Sequence, residues 1–323
     1  MRDGLGRSID YLRISITDRC DLRCVYCMPA AGVPALEHAE ILRYEEILRL
    51  VRILAPLGVK HLRLTGGEPM TRRGCLDLIR ELRKVPGVES VAMTSNGILL
   101  ADQIGEAKAA GLTALNLSLD TLNPDTYRRL TRGGDVGTVL RTLSRAAEAG
   151  IQTKLNAIPL RGVNVEELPS LAALARENPI CVRFIELMPL GCARDLTPVP
   201  TVEVMEHLEA AYGPLCPDDA VRGHGPAVYV RPEGFQGSLG FISALSHEFC
   251  GHCNRVRLTA DGSFKLCLNH TKGTDLRALL RSGASDGEVE AAIRSALAEK
   301  PARHNFREAL ADREARRMNE IGG

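Results

Sequence analysis

The chain contains no tryptophan, and aromatic residues make up only 4% of its 323 positions. Stacked aromatic platforms for single-stranded nucleic acid are therefore poorly supplied. No stretch approaches the roughly 18 consecutive apolar residues of a membrane-spanning helix. Neither charge is in excess: 41 Lys and Arg stand against 40 Asp and Glu, a net +1. That balance argues against a general nucleic-acid binder and against an acidic tail, while leaving room for a local basic pocket. The opening MRDGLGRSIDYLR has no apolar core of the secretory type. The expectation is a cytoplasmic protein with no membrane and no nucleic acid among its partners.

What the chain does have is cysteine, ten in all. In a reducing compartment these do not form a disulfide framework. Three crowd together at Cys20, Cys24 and Cys27, and three more at Cys250, Cys253 and Cys267. Cys75, Cys181, Cys192 and Cys216 are scattered in apolar or loop contexts and read as buried or incidental thiols.

Length divided by roughly 150 gives about two domains, or one barrel with an appendage. The pattern favours the second. Strands are expected at 9–17, 59–65, 88–94, 113–119, 151–158 and 181–187, from alternating or continuous apolar runs. Helices are expected between them at 43–57, 74–84, 99–110, 123–130, 137–149 and 166–177, with Gly58, Gly87, Gly111 and Gly150 as stop signals. Such alternation means βα units and a parallel sheet. A flat doubly wound sheet also fits. Polar residues at strand ends (Thr65, Ser95, Ser118, Glu186) favour an α/β fold built as an incomplete (βα)6 TIM-like barrel, whose chemistry gathers at that end.

After Pro198 the rhythm stops, which divides the chain into 1–198 and 199–323. The second part reads as an α+β extension that closes the barrel mouth. It should hold a helix at 201–211 and short strands near 239–243, 255–259 and 263–267. Asp261-Gly262 marks a hairpin. Ser285 and Glu288 form a capping box opening a helix over 286–299.

Cys20-x3-Cys24-x2-Cys27 directly follows the first strand. Three thiolates at this spacing suit an iron–sulfur cluster with one iron left without a protein ligand, although a lone C-x2-C more often means zinc. The trio, followed at a strand end by Thr65-Gly66-Gly67-Glu68-Pro69, resembles the radical S-adenosyl-L-methionine (SAM) superfamily. TGGEP by itself is equally a plain turn.

Cys250-x2-Cys253-x13-Cys267 is more discriminating. On spacing alone zinc is open, with His247, His252 or His270 as a fourth ligand. The stretches TDRCDLRCVYCMP, LRLTGGEP, TSNG, NLSLD, VRFIELMPLG, FCGHCNRVRLTADG and the terminal IGG run over nearly the full length. Together they resemble the GTP 3′,8-cyclase family of molybdenum cofactor biosynthesis.

That resemblance implies two 4Fe–4S clusters, one on each cysteine trio, with SAM at the open iron of the first and GTP at that of the second. It implies reductive cleavage of SAM, removal of the 3′ hydrogen of GTP and bonding of that carbon to guanine C8. The product, 3′,8-cyclo-7,8-dihydro-GTP, would pass to cyclic pyranopterin monophosphate synthase. An electron donor and a homodimer are implied as well. For SAM the matching positions are Tyr26, Gly67, Ser118 and Met188. Read without the family, Met188 is core packing and Ser118 a strand polar residue.

GTP needs cations. Arg13, Arg63 and Lys154 alternate with apolar neighbours on expected strands. A buried arginine without an anion is costly on either face of a barrel, so an anion inside is the economical explanation. The family places these three on GTP with Thr94 and the segment Arg255-Val256-Arg257. The alternate spacing of Arg255 and Arg257 puts both on one side of a strand. Arg183 is a weaker candidate. Where relatives tend to have two lysines, this chain has Lys60-His61, so His61 contributes less charge. Composition alone reads Gly322-Gly323 as a frayed end. The family implies a tail that inserts into the active site.

Overall fold

The computed structural model describes residues 1–220, 223–304, 306, 314 and 316–322. The strands are β1 (Tyr11–Ser15), β2 (His61–Thr65), β3 (Ser90–Ser95), β4 (Ala114–Ser118), β5 (Gln152–Ala157), β6 (Cys181–Ile185), β7 (Cys216–Pro217), β8 (Val228–Arg231), β9 (Ser238–Ile242), β10 (Arg255–Leu258), β11 (Ser263–Lys265) and β12 (Gly273–Asp275). The helices are α1 (Tyr44–Leu54), α2 (Cys75–Arg83), α3 (Ile104–Ala109), α4 (Pro124–Thr131), α5 (Val136–Glu148), α6 (Leu168–Glu177), α7 (Thr201–Tyr212), α8 (Leu276–Arg281), α9 (Asp286–Ala298) and α10 (Met318–Ile321).

All twelve strands join one sheet in the order β12-β11-β10-β1-β2-β3-β4-β5-β6-β9-β8-β7. From β1 to β6 neighbouring strands follow chain order and are parallel, which is the expected run of βα units. The terminal strands β12 and β7 do not pair with each other, so the sheet is an incomplete barrel. The C-terminal part extends this same sheet: β9 pairs in parallel with β6, and β10 in parallel with β1. Sequence rhythm could not place them there, because each pairing spans a long stretch of chain.

Each strand's alternation sorts its side chains. On β1, Leu12 and Ile14 are fully buried in the helix-covered core while Arg13 between them faces the other way. Helix α1 answers with Ile47, Leu50, Val51 and Leu54, the i, i+3, i+4, i+7 stripe of a core-facing helix. The cap of α5 is Asp135, which accepts from the amides of Gly137 and Thr138. The capping box of Ser285 and Glu288 opens α9 as expected.

Some expectations need correction. The helix expected over 99–110 shrinks to α3, because Leu100 and Ile104 supply helical spacing although Leu100 lies in a preceding turn. The Pro/Gly-rich stretch before residue 238 hides β8, an antiparallel partner of β9. The hairpin expected at Asp261-Gly262 is present, joining β10 to β11 with Gly262 at φ +87°. Helix α8 had no counterpart in the sequence reading.

Candidate active site

Three arginines sit side by side on neighbouring strands. Arg13 of β1 is in register with Arg257 of β10 on one side and with Arg63 of β2 on the other. Parallel register aims all three into the face not covered by helices. Burial, and next the charge of Arg257, hold the Arg13 guanidinium well below its ordinary pKa. Arg257 is likewise pushed down to about 10, by burial and then by Arg255. Folding has concentrated like charge where it is poorly solvated, an arrangement that favours a bound polyanion.

The row continues across the sheet. Arg63 donates from Nη1 to Thr94 Oγ1 at 3.4 Å and from Nε to the Tyr11 hydroxyl. Thr94 is in register with Asn116, and Asn116 with Lys154, which is buried. Arg183 is buried and donates twice to Asn156 Oδ1, at 2.9 and 2.5 Å. Two buried polar atoms here, Asn116 Oδ1 and Arg255 Nε, have no hydrogen-bond partner among the described residues. An interior with orphaned donor and acceptor atoms and clustered cations fits a polar, anionic occupant.

On β10, Arg255 and Arg257 share the open face, as their spacing predicts, whereas the Val256 side chain is wholly in the core. Only the backbone of Val256 is available to a ligand. His61 is buried, with Nδ1 at 2.9 Å from Ser90 Oγ, and its ring stacks on His224 at 3.4 Å between centroids. Burial, then the neighbouring His224, hold the His61 pKa below its ordinary value. Lys60 instead points to solvent and pairs with Glu89 at 2.8 Å.

The first cysteine trio follows β1. Its loop is fixed by the glycine motif: the Gly67 amide donates to Thr17 O and the Glu68 amide to Arg19 O, both at 2.8 Å. A Cβ on Gly67 would stand 2.2 Å from Arg19 O, and one on Gly66, at φ +150°, 2.3 Å from Thr17 O. The glycines are thus needed for close packing against the strand-to-cysteine turn. Glu68 is buried, accepting from Ser95 Oγ at 2.9 Å and the Asn96 amide at 2.7 Å. Tyr26 donates to Asp120 Oδ2 at 2.7 Å, tying the loop to the end of β4. Burial pushes the Cys20 and Cys27 thiols up to about 12, and Cys24 rises in the same direction. Among the charges acting on Cys20 and Cys24 are the acids Asp21, Glu68 and Asp120. Such thiols give up their protons only to a bound cation.

The second trio lies around β10. Burial raises the Cys250 thiol. For Cys253 burial acts in the same sense, but Lys300 and Arg255 outweigh it and hold this thiol below its ordinary value. Acids thus act on Cys20 and Cys24, whereas cations act on Cys253.

Both fit an iron–sulfur cluster better than a single zinc. Sulfurs around one tetrahedral zinc lie about 3.8 Å apart, given a Zn–S bond of about 2.3 Å. Among the described residues only Glu248, Cys250 and His304 bring three ligand atoms within 4.8 Å of one another; neither trio is drawn in that tightly. His304 Nε2 is also engaged, 2.8 Å from Ala244 O.

The C-terminal helix α10 spans the ground between the trios. Asn319 donates from Nδ2 to Asp18 O at 3.0 Å, and its amide hydrogen-bonds to Cys27. Gly322 is buried and accepts from Arg257 Nη1 at 2.6 Å. Gly323 lies outside the described residues. Met188 packs in the cluster of Leu190, Phe306 and Ile321, beside Met318 of α10. Ser118 closes β4 in register with Asn156.

Sequence reasoning missed Tyr11, Asn116 and Asn156. Their signal was available: each occupies an inward position of a strand already assigned. Glu186, read as a mark of strand-end chemistry, is instead a structural tie. It accepts from the Thr201 amide and hydroxyl and from Ser246, fastening α7 and the chain after β9. Cys75 and Cys181 are buried and Cys216 is exposed.

Known proteins share both parts of this arrangement. Residues 14–175 match the radical SAM superfamily and residues 180–306 match Molybdenum Cofactor Synthesis C. A GTP 3′,8-cyclase of Pelotomaculum thermopropionicum is 46% identical over 297 residues, 91% of each chain. One of Clostridium perfringens is 43% identical over the whole of both chains. Among solved structures, Streptococcus suis SuiB bound to S-adenosylmethionine superposes with a TM-score of 0.64 at 14% identity, over 90% of this chain and 68% of that one. That likeness concerns the fold. Identity sustained from end to end is a family relationship, and the chain belongs to the GTP 3′,8-cyclases of the radical SAM superfamily.

Proposed function

We propose that this chain is a GTP 3′,8-cyclase, converting GTP to 3′,8-cyclo-7,8-dihydro-GTP for molybdenum cofactor biosynthesis. The observation that carries the reading is the Arg257–Arg13–Arg63 row on three neighbouring strands of the sheet whose loops bear the cysteine trios. A triphosphate is the polyanion such a row suits, because guanidinium donors match phosphate geometry.

Cys20, Cys24 and Cys27 would hold one 4Fe–4S cluster, and Cys250, Cys253 and Cys267 a second. When bound, the first cluster and SAM supply the one-electron chemistry that removes hydrogen from carbon. The protein's share is placement. Tyr26, Gly67, Ser118 and Met188 would surround SAM. Arg13, Arg63, Thr94 and Lys154 would hold the nucleotide, with Arg255, Arg257 and the Val256 backbone at its other side. Gly322 and Gly323 would border the reacting ribose and help keep out water. The acids around Cys20 and Cys24 suit a cationic sulfonium, and the cations beside Cys253 and along the arginine row suit an anionic nucleotide.

Residues 1–198 would then activate SAM and residues 199–323 would bring the substrate-side cluster. The remaining parts of the reading are a cytoplasmic homodimer served by an electron donor, with cyclic pyranopterin monophosphate synthase consuming the product. No helix among the described residues is long and apolar enough to cross a membrane. Anaerobic incubation with SAM, a reductant and GTP, followed by product identification, tests the activity. Absence of the cyclised nucleotide, with both clusters loaded, would reject it.

A further inference from the structure

We infer that Arg7, outside both cysteine trios and outside the arginine row, is a positioning residue for the second cluster. The inference rests on the reading of Cys250, Cys253 and Cys267 as cluster ligands. A guanidinium has five N–H donors in a fixed fork, and Arg7 makes five hydrogen bonds. Nε donates to Asp3 Oδ2 at 2.6 Å. Nη1 donates to Cys250 O at 2.9 Å and to Ala302 O at 3.1 Å. Nη2 donates to Lys300 O at 3.3 Å and to Pro301 O at 2.7 Å.

The side chain is almost buried, 8% exposed, and that of Asp3 entirely so. Asp3 is itself held, since its Oδ1 accepts from the amides of Leu5 and Arg7 at 3.0 and 2.9 Å. The turn these residues form packs so closely on the end of α9 that a Cβ on Gly4 would stand 2.3 Å from Ala298 O. The donor fork is thus anchored before it reaches its acceptors.

What it grips is a segment that touches all three ligand-bearing stretches. Lys300 is buried and donates from Nζ to Arg255 O at 2.9 Å, two residues beyond Cys253, and to Leu266 O, next to Cys267. The His304 amide hydrogen-bonds to Cys250. Arg7 therefore reaches Cys250 through its own carbonyl, and the other two cysteines through the backbone of residues 300–302. No single lysine can replace that fork, because its donors radiate from one atom. Arg7 touches no ligand sulfur, so it acts only by holding those that do.

The test uses a parent carrying Cys20→Ala, Cys24→Ala and Cys27→Ala, in which only the second trio can bind iron. After anaerobic reconstitution, iron per chain, the EPR spectrum of the reduced cluster and the rate of iron loss to a chelator are measured. Arg7→Ala is expected to release iron about 10–100-fold faster than the parent, the usual consequence of losing an outer-shell partner, and to alter the spectrum. Arg7→Lys should fall between the two. A folded Arg7→Ala variant with the parent's spectrum and rate of iron loss would overturn the inference. If Arg7→Ala does not fold, Asp3→Asn, which frees the fork from its anchor, is judged by the same criteria. A parent that binds no iron would remove the cluster reading itself, and the inference with it.

Discussion

Arg257 donates from Nη1 to the carbonyl of Gly322 at 2.6 Å, joining the strand that follows Cys253 to the far end of the chain. Three residues earlier, Asn319 reaches Asp18 and Cys27 on the opposite side. The tail is therefore a bridge between the two cysteine loops, and its last described residue sits against a member of the arginine row.

Substituting Gly322 tests that bridge. Its φ of +79° disfavours any side chain, and a Cβ there would stand 2.8 Å from Ser15 Cβ. Gly322→Ala should strain the α10 terminus by about 1–2 kcal/mol. GTP cyclisation should fall sharply while iron content stays near the wild type and the melting temperature drops only slightly, because the strain is confined to the end of α10 and the Ser15 side chain it meets. Deleting Gly322-Gly323 should act in the same direction. Full activity in the deletion would make the tail ordinary fraying.

The arginine row should cost the empty protein stability and return it on binding. Arg13→Met removes one of several like charges from a poorly solvated row, relieving the burial cost of the guanidinium and its repulsion by Arg257, Arg63 and Arg255. The empty variant should thus melt at or above the wild-type temperature. GTP or inorganic triphosphate at about 100 times its Kd should stabilise the wild type by about 2.7 kcal/mol and the variant far less. Equal ligand-induced shifts in both proteins would dissociate Arg13 from the anion.

The parallel core was legible because a βα unit is local: periodicity, glycine stops and polar strand ends lie within one stretch of chain. The cysteine trios and the pairing of Arg255 with Arg257 were legible for the same reason. Contacts between distant segments were not. Nothing near β9 or β10 announces pairing with β6 or β1. Nor does the N-terminal turn signal that Arg7 reaches residues 250 and 300–302. Arg13 and Arg63 could be called buried cations from alternation alone, but their adjacency to Arg257 depends on the order of strands. Glu186 shows the opposite error: a strand-end carboxylate read as a mark of chemistry is used up in tying down α7.

The two trios should lose iron independently. Cys24→Ser should lower iron from about eight to about four per chain and abolish SAM cleavage. Cys253→Ser should lose a similar amount, keep SAM cleavage in the absence of substrate, and fail to cyclise GTP. Normal cyclisation by Cys253→Ser, or normal SAM cleavage by Cys24→Ser, would contradict the assignment of that trio.

Substrate choice should depend on base as well as phosphates. ATP offers the row the same triphosphate, so it should compete with GTP for binding, yet its amino group stands where guanine has a carbonyl acceptor. ATP should therefore inhibit without being cyclised. Comparable turnover of ATP and GTP would show that the base is not read.

The cluster-free protein should lose the stability that the Glu68 and Asp120 carboxyls contribute as pH rises from about 4 to about 7. Burial pushes Glu68 up to about 7 and Asp120 up to about 6. Each carboxyl lies above its unfolded value, so the folded state holds the extra proton. The resulting stability is complete below the unfolded pKa and is lost as pH climbs through the folded one. For Glu68 the shift from 4.5 to about 7 corresponds to an upper bound of ~3 kcal/mol. Hydrogen bonds from Ser95 and the Asn96 and Met70 amides favour the charged form and already hold the rise to that size. Glu68→Gln has no proton to release, so its melting temperature should fall less over the same range, with Asp120 and, in the opposite sense, His61 contributing to what slope remains. Thermal melts of both proteins across that range provide the measurement. Parallel profiles would mean that Glu68 does not titrate there, and that its three hydrogen bonds keep it ionised despite burial.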